Sequence, residues 1–187
     1  MKIIYSLSLL TSLAFSSISF GRTYVIKSGN HFSNFNLPTI VTTKNFSFRA
    51  KFDDSAEYYL GTDDQYDINK LYGFSDCGSN HHKNSARFGW VWNDRTSNLR
   101  SRGRLEIHAY TYHKGKRDSQ FITSVDLNVF NSYNIKVNKN NYIMSVNNIS
   151  VTMPRGCDSS NPIGVKLNPY FGGNEVAPHD VRIEIKD

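Results

Sequence analysis

The chain has 187 residues, with 22 Lys and Arg against 16 Asp and Glu, a formal net charge of +6. It contains no charge block, internal repeat or linker, which excludes a repeat array, a polyelectrolyte tail and a string of domains. The moderate positive charge suits an acidic partner such as an anionic glycan, a nucleic acid or a bacterial surface, though exported proteins without such partners share it.

The first 21 residues read as a signal peptide. Lys2 is their single charge, an apolar stretch from Ile3 to Phe15 is diluted by serines, and Ser19 and Gly21 fit the small positions of a cleavage site. A run of this length is too short for a stable span of a ~30 Å bilayer, which needs about 20 residues. No later segment is apolar for long enough to be a second one. Without Lys2 the chain keeps 21 of its 22 basic residues against 16 acids, a net of +5. The expectation is a soluble exported product, residues 22–187 as one domain, secreted or periplasmic.

After the leader, helical periodicity gives way to alternation with period two, the pattern of strands with two distinct faces. Phe46, Phe48, Ala50 and Phe52 alternate with Ser47, Arg49 and Lys51. Ala86, Phe88, Trp90 and Trp92 alternate with Arg87, Gly89 and Val91. Leu99, Leu105, Ile107 and Ala109 claim the interior of a strand ending near Tyr112. Its other face carries Arg100, Arg102, Arg104, Glu106, His108, Tyr110 and Tyr112. Lys114-Gly115-Lys116 reads as a hairpin tip leading to a strand at 121–125. Further strands are expected at 133–137, 142–146, 163–171 and 181–185, with asparagine-rich turns at 138–141 and 147–148. Short strands at this spacing predict an all-β fold, two antiparallel sheets packed as a β-sandwich. Aromatic residues make up 13% of the chain, enough to fill that core and leave several rings over.

Cys77 and Cys157 are the two cysteines. In an oxidising compartment an even pair is most simply a disulfide, worth about 4.5 kcal/mol for a loop of this length in the chain-entropy model, and two free thiols are the alternative. The spacing of Cys and His offers no metal site. Adjacent His81 and His82 would point to opposite faces of a strand and chelate poorly unless their loop is irregular. Asp53, Asp54, Asp63, Asp64 and Asp67 could supply oxygen ligands to Ca²⁺, but they lack the regular spacing of such loops and read more simply as turn acids. No metal or cofactor is expected.

The Arg, Glu, His and Tyr face of the strand ending at Tyr112 is the most informative stretch. Planar charged groups hydrogen-bond paired hydroxyls or a uronate carboxylate, and Tyr rings stack on the apolar side of a pyranose. The competing interpretation is a solvated face with cross-strand salt bridges. On the first view Arg104, Glu106, His108, Tyr110 and Tyr112, with Arg87 and the loop residue His81, form a carbohydrate-binding face. The same residue types could serve a lyase, with a His as base, a Tyr as acid and an Arg neutralising the substrate carboxylate. A retaining hydrolase needs two carboxyls ~5 Å apart, and Glu106 stands without a neighbouring acid.

The stretches Leu71-Tyr72-Gly73-Phe74-Ser75-Asp76, Asn84-Ser85-Ala86-Arg87-Phe88-Gly89-Trp90 and Pro169-Tyr170-Phe171-Gly172-Gly173, followed by Ala177-Pro178-His179-Asp180, resemble small exported bacterial sandwich proteins. These are similar in shape to concanavalin A-like (jelly-roll) lectins, glucanases and polysaccharide lyases. The resemblance implies that fold over most of the mature chain and raises the expectation of glycan contact by analogy. It carries over no catalytic residue, because none of the active-site patterns of those enzymes is matched. Pro169 to Asp180 reads as mainly structural. Three functions stand open: a lectin-like module for a carbohydrate such as an anionic polysaccharide; a polysaccharide lyase or glycoside hydrolase; and a structural or protein-interaction domain. Membrane and nucleic acid are not expected partners.

Overall fold

A computed structural model describes residues 21–35, 37–94 and 104–187. Its twelve strands form two six-stranded sheets, and every pairing is antiparallel. The first sheet has the order β1 (Arg22–Ile26), β12 (Val181–Lys186), β3 (Asn45–Phe52), β8 (Asn131–Val137), β9 (Asn141–Val146), β10 (Ile149–Pro154). The second runs β2 (Ile40–Val41), β11 (Gly164–Leu167), β4 (Asn69–Ser75), β5 (Ser85–Asn93), β6 (Arg104–His113), β7 (Lys116–Val125). The expected two-sheet antiparallel sandwich is the observed architecture.

The alternation read from the sequence decides which face is buried. Phe46, Phe48, Ala50 and Phe52 point inward from β3, and Tyr133, Ile135 and Val137 do so from β8. Facing them are Tyr72 and Phe74 of β4, Phe88 and Trp90 of β5, and Leu105, Ile107 and Ala109 of β6. Phe48 stacks on Tyr133 with ring centroids 4.9 Å apart, and Phe88 meets Tyr133 edge-on at 5.1 Å. Such pairs add about 0.5–1.5 kcal/mol each beyond simple burial.

Two differences from the sequence reading shape the outer face of the second sheet. First, β5 is buried along nearly its whole length, on both sides of the sheet: Ser85 bonds the His81 carbonyl, Ile68 lies over Gly89, and Arg87 reaches past β4 to the Asn168 carbonyl of the 168–174 segment. That segment was expected to continue a strand from 163 to 171. Instead β11 ends at Leu167, and Tyr170 makes isolated bridges to Lys70 and Phe32. Second, β7 begins at Lys116, directly after a tight turn in which Lys114 and Gly115 both have positive φ. This is the two-residue hairpin geometry. Opposite Ile107 and His108 the ladder slips by one residue, and the extra residue, Ile122, turns its side chain into the core. Leu99, Arg100 and Arg102 lie outside the described residues, as does the leader up to residue 20.

Cys77 and Cys157 are bridged, with Cα atoms 5.8 Å apart. Among the described residues no helix is long and apolar enough to cross a membrane.

Candidate functional site

The outer side of the second sheet holds an open groove of about 470 Å³ over β4, β5 and β6. Register explains its composition. Arg87 of β5 stands directly opposite Tyr110 of β6, Ser85 opposite Tyr112, and Tyr112 in turn opposite Arg117 of β7. Side chains two apart on a strand share a face, so these groups project together from one side of the sheet.

Arg87 forms the floor. It is 8% exposed; Nη2 donates to the Asn168 carbonyl at 2.6 Å, and Nε has no partner among the described residues. No described Asp or Glu forms an ion pair with it. Burial lowers its pKa to about 10, so it stays charged at neutral pH. Beside it, Lys70 Nζ donates to the carbonyl of Gly172 at 2.8 Å and lies 5.3 Å from the centroid of the Tyr110 ring and 5.6 Å from that of Tyr170. Burial first, then the charge of Arg87, lowers the Lys70 ammonium to about 8. Burial and a hydrogen bond with Tyr112 push the Tyr110 hydroxyl up to about 12.

One wall is the segment carrying Tyr170 and Gly172. Its backbone pairs with Lys70, N to O in both directions, at 2.8 and 2.9 Å. Gly172 has φ +73°, and an added Cβ would run into the carbonyl of Glu175, so only glycine fits where the chain turns over Lys70. His31 stacks on the Tyr170 ring with centroids 5.1 Å apart, and Phe32, 65% exposed, meets it edge-on at the rim.

The opposite end is closed by the turn with His81 and His82. Their rings lie 4.1 Å apart, and His82 is 5.4 Å from Tyr112. The segment is a turn and not a strand, so both histidines line the groove. Burial lowers the pKa of His81, and His82 and Arg87 add to the effect. This loop is anchored by the disulfide and by Asp76, which is fully buried. Asp76 accepts from Tyr142 Oη at 2.7 Å, from Arg155 Nε at 2.6 Å, and from the Cys77 and Ile163 amides.

Of the residues expected to form the site, the structure gathers Arg87, Tyr110, Tyr112 and His81. It does not bring Arg104, Glu106 and His108 into the same groove. Arg104 lines a separate cleft of about 350 Å³ with Asp54, Glu57, Trp92 and Asp126. Glu106 accepts from Asn93 Nδ2 at 2.8 Å. His108 Nε2 is 3.7 Å from Glu106, too far for a hydrogen bond, and its ring sits edge-on to Phe121. Burial lowers the pKa of His108 as well. Tyr110 is largely buried and lines the groove. Lys70, Arg117, Tyr170 and Phe32 were not anticipated. The compact Asp76, Cys77, Cys157 group is no open ligand set, since its sulfurs are joined and its carboxylate is paired with Arg155. Asp53 caps the Asp54–Ala56 turn and Asp54 accepts from Asn128, the ordinary work of turn acids.

No protein-family model matches the chain, and no curated protein sequence matches it. Solved structures do resemble it. Alginate lyase AlyC3 in complex with dimannuronate matches with a TM-score of 0.56 at 12% identity, covering 89% of this chain and 72% of that one. Alginate lyase vAL-1 from a Chlorella virus matches with a TM-score of 0.50 at 11% identity, over 94% and 86%. A Bacteroides ovatus GH16 protein in complex with its product matches at 0.50 and 10% identity, over 92% and 81%. At these identities the likeness shows the fold: a jelly-roll sandwich of the kind found in carbohydrate-active proteins.

Proposed function

We propose that the protein is exported, with its mature chain beginning near Arg22, and that its groove binds an acidic polysaccharide. Arg87 carries this reading. A buried guanidinium without a counter-ion costs several kcal/mol of desolvation, and in a cleft such a group marks a candidate site for a ligand that supplies the missing charge. A carboxylate is the natural complement, because Arg holds it through two parallel hydrogen bonds. The residues lining the groove include Lys70, Arg87 and Arg117 and no Asp or Glu. Tyr110, Tyr112, Tyr170 and Phe32 supply ring faces and edges for the apolar sides of sugar rings. That neighbours of this fold were solved with a uronate disaccharide and with a glucan product supports the choice of a sugar.

Titration of the mature protein with polyuronate oligosaccharides and with neutral glucan oligosaccharides of equal length tests the proposal. Binding of the acidic series at least tenfold tighter is expected, and equal affinity for both would reject a charge-selective groove.

One observation favours a second reading, elimination. Lys70 is partly an unprotonated amine near neutral pH, next to Tyr110, which stays protonated. With a uronate carboxylate on Arg87, the Lys70 amine would take the proton on the carbon beside that carboxylate. The released electron pair forms a C=C bond as the adjacent glycosidic C–O bond breaks, and Tyr110 protonates the leaving oxygen. A carboxylate pair for hydrolysis is absent from the residues lining the groove. Ultraviolet absorbance of unsaturated sugar during incubation with polyuronate distinguishes turnover from binding.

A further inference from the structure

The outer side of the first sheet faces away from the groove, and its residues have a pattern of their own. From β3 and β12, Arg49, Lys51 and Lys186 converge on one ring, Phe130, with distances to its centroid of 5.3, 5.0 and 4.2 Å. A single acid, Glu184, serves two of them, at 2.9 Å from Lys51 and 3.7 Å from Lys186. Arg49 has no acidic partner among the described residues. The ring quadrupole attracts each cation but leaves their mutual repulsion in place. An isolated solvated face spreads its charges and intersperses signs. Here the cations are gathered at one edge of a polar lane.

That lane is set by register. Ser47, Asn134, Ser145 and Ser150 stand opposite one another across β3, β8, β9 and β10. Asn134 Nδ2 donates to Ser47 Oγ at 2.7 Å. A shallow depression of about 290 Å³ joins the lane to Arg49 and Lys186; Asp187, which also lines it, is engaged by Tyr72 and Lys166. Hydroxyls and amides on neighbouring strands, about 4.8 Å apart, suit the hydroxyls of a sugar chain, and the cations at the end of the lane suit its carboxylates or sulfates.

We propose that this face is a second site for acidic polysaccharide, centred on Arg49 and Lys186. The inference stands on the first sheet's own residues. Its consequence, that one molecule bridges two polymer chains, rests in addition on the groove. The two faces look in opposite directions, so one stretch of polymer does not occupy both. Bridging turns two modest affinities into avidity for a polymer mesh.

The probes are long-chain polygalacturonate, heparin, a galacturonate hexasaccharide and vesicles of anionic phospholipid. Light scattering follows cross-linking, and calorimetry of the hexasaccharide gives the number of sites. The wild type is expected to scatter strongly with at least one of the two long polymers and to bind two hexasaccharides. R49E/K186E, with an unchanged melting temperature, is expected to bind one hexasaccharide and lose most of the scattering. A groove variant, K70M/R117M, is expected to lose the other site and to retain this one. Should R49E/K186E keep two sites and wild-type scattering, the second site is wrong while the groove reading stands. Should K70M/R117M bind like wild type while R49E/K186E abolishes binding, the groove reading fails and this one holds. Binding to vesicles with none to either polymer would overturn the assignment to polysaccharide.

Discussion

Two buried arginines stand in contrast, one paired within a network that ties loops together and one unpaired at the floor of the proposed ligand groove. Arg155 gives Asp76 two hydrogen bonds, at 2.6 and 3.2 Å, and shares its remaining donors among Ser159 and the carbonyls of Asn138, Lys139, Ser159 and Asn161. Burial alone would lower its pKa, but the Asp76 carboxylate more than reverses this and raises it. Arg87 is about as buried, has one carbonyl and no acid, and its pKa falls. A paired and fully bonded charge fixes loops in place; an unpaired one at the floor of a groove is kept at a cost. On the proposed reading, this contrast separates structural from functional charge more sharply than burial does.

The largest expected effect is on the paired side. Asp76→Ala leaves Arg155 buried without its counter-ion and Tyr142 without its acceptor. A loss of about 3–5 kcal/mol follows, read as a fall of roughly 10 °C in melting temperature. Calorimetry of the oxidised protein measures it; a change below about 1 kcal/mol would show that the disulfide alone holds this corner.

Arg87→Met inverts the outcome. The methionine keeps the stem and removes an uncompensated charge, so the melting temperature should hold or rise. Affinity for acidic oligosaccharide should fall by about 2–4 kcal/mol, roughly 30-fold or more. Loss of stability together with unchanged binding would assign Arg87 to the fold and erase the comparison.

A smaller effect comes from pH. Lys70 loses its proton as pH rises through about 8, whereas Arg87 holds its own to about 10. Acidic ligand should therefore bind about fivefold more weakly at pH 9 than at pH 7, the worth of about 1 kcal/mol of charge contact. Bound carboxylate opposes the deprotonation, so the midpoint should move above 8 in the complex. Lys70→Arg should flatten the profile over this range, and a wild-type profile that is already flat would remove Lys70 from the ligand's reach.

Much of this was legible in the sequence, for a definite reason. Alternation in β3, β6 and β8 reports a sheet with one wet and one dry side, and the expected turns at Lys114-Gly115 and Asn147 are present, with positive φ at these residues. Lys70 was hidden because β4 is buried on both faces, which erases the period that would have marked its side chain as special. Tyr170 was hidden because it reaches the groove by pairing beside β4 at Lys70, a long-range contact that no local spacing encodes. The pairing of Asp76 with Arg155 spans 79 residues and was equally invisible.

The smallest predicted effect tests how far the site extends along one strand. Arg104, Glu106, His108 and Tyr110 share a face of β6, and the sequence offered no reason to divide them. The structure supplies one: six residues at 3.3–3.4 Å each separate Arg104 from Tyr110 by roughly 20 Å, about the length of four sugar rings. At the far end Arg104 has Asp54, Glu57 and Asp126 around its cleft, so its charge is locally offset and the acids there oppose an acidic ligand. Arg104→Ala should accordingly change affinity for a short acidic oligosaccharide by less than twofold, where Arg117→Ala, at the groove, weakens it about fivefold. The same pair measured with an octasaccharide sharpens the point. If Arg104→Ala becomes costly only with the longer chain, the polymer lies along the whole β6 face. A cost already present with the disaccharide would show that the site is centred on Arg104, and that the unpaired guanidinium of Arg87 is not its anchor.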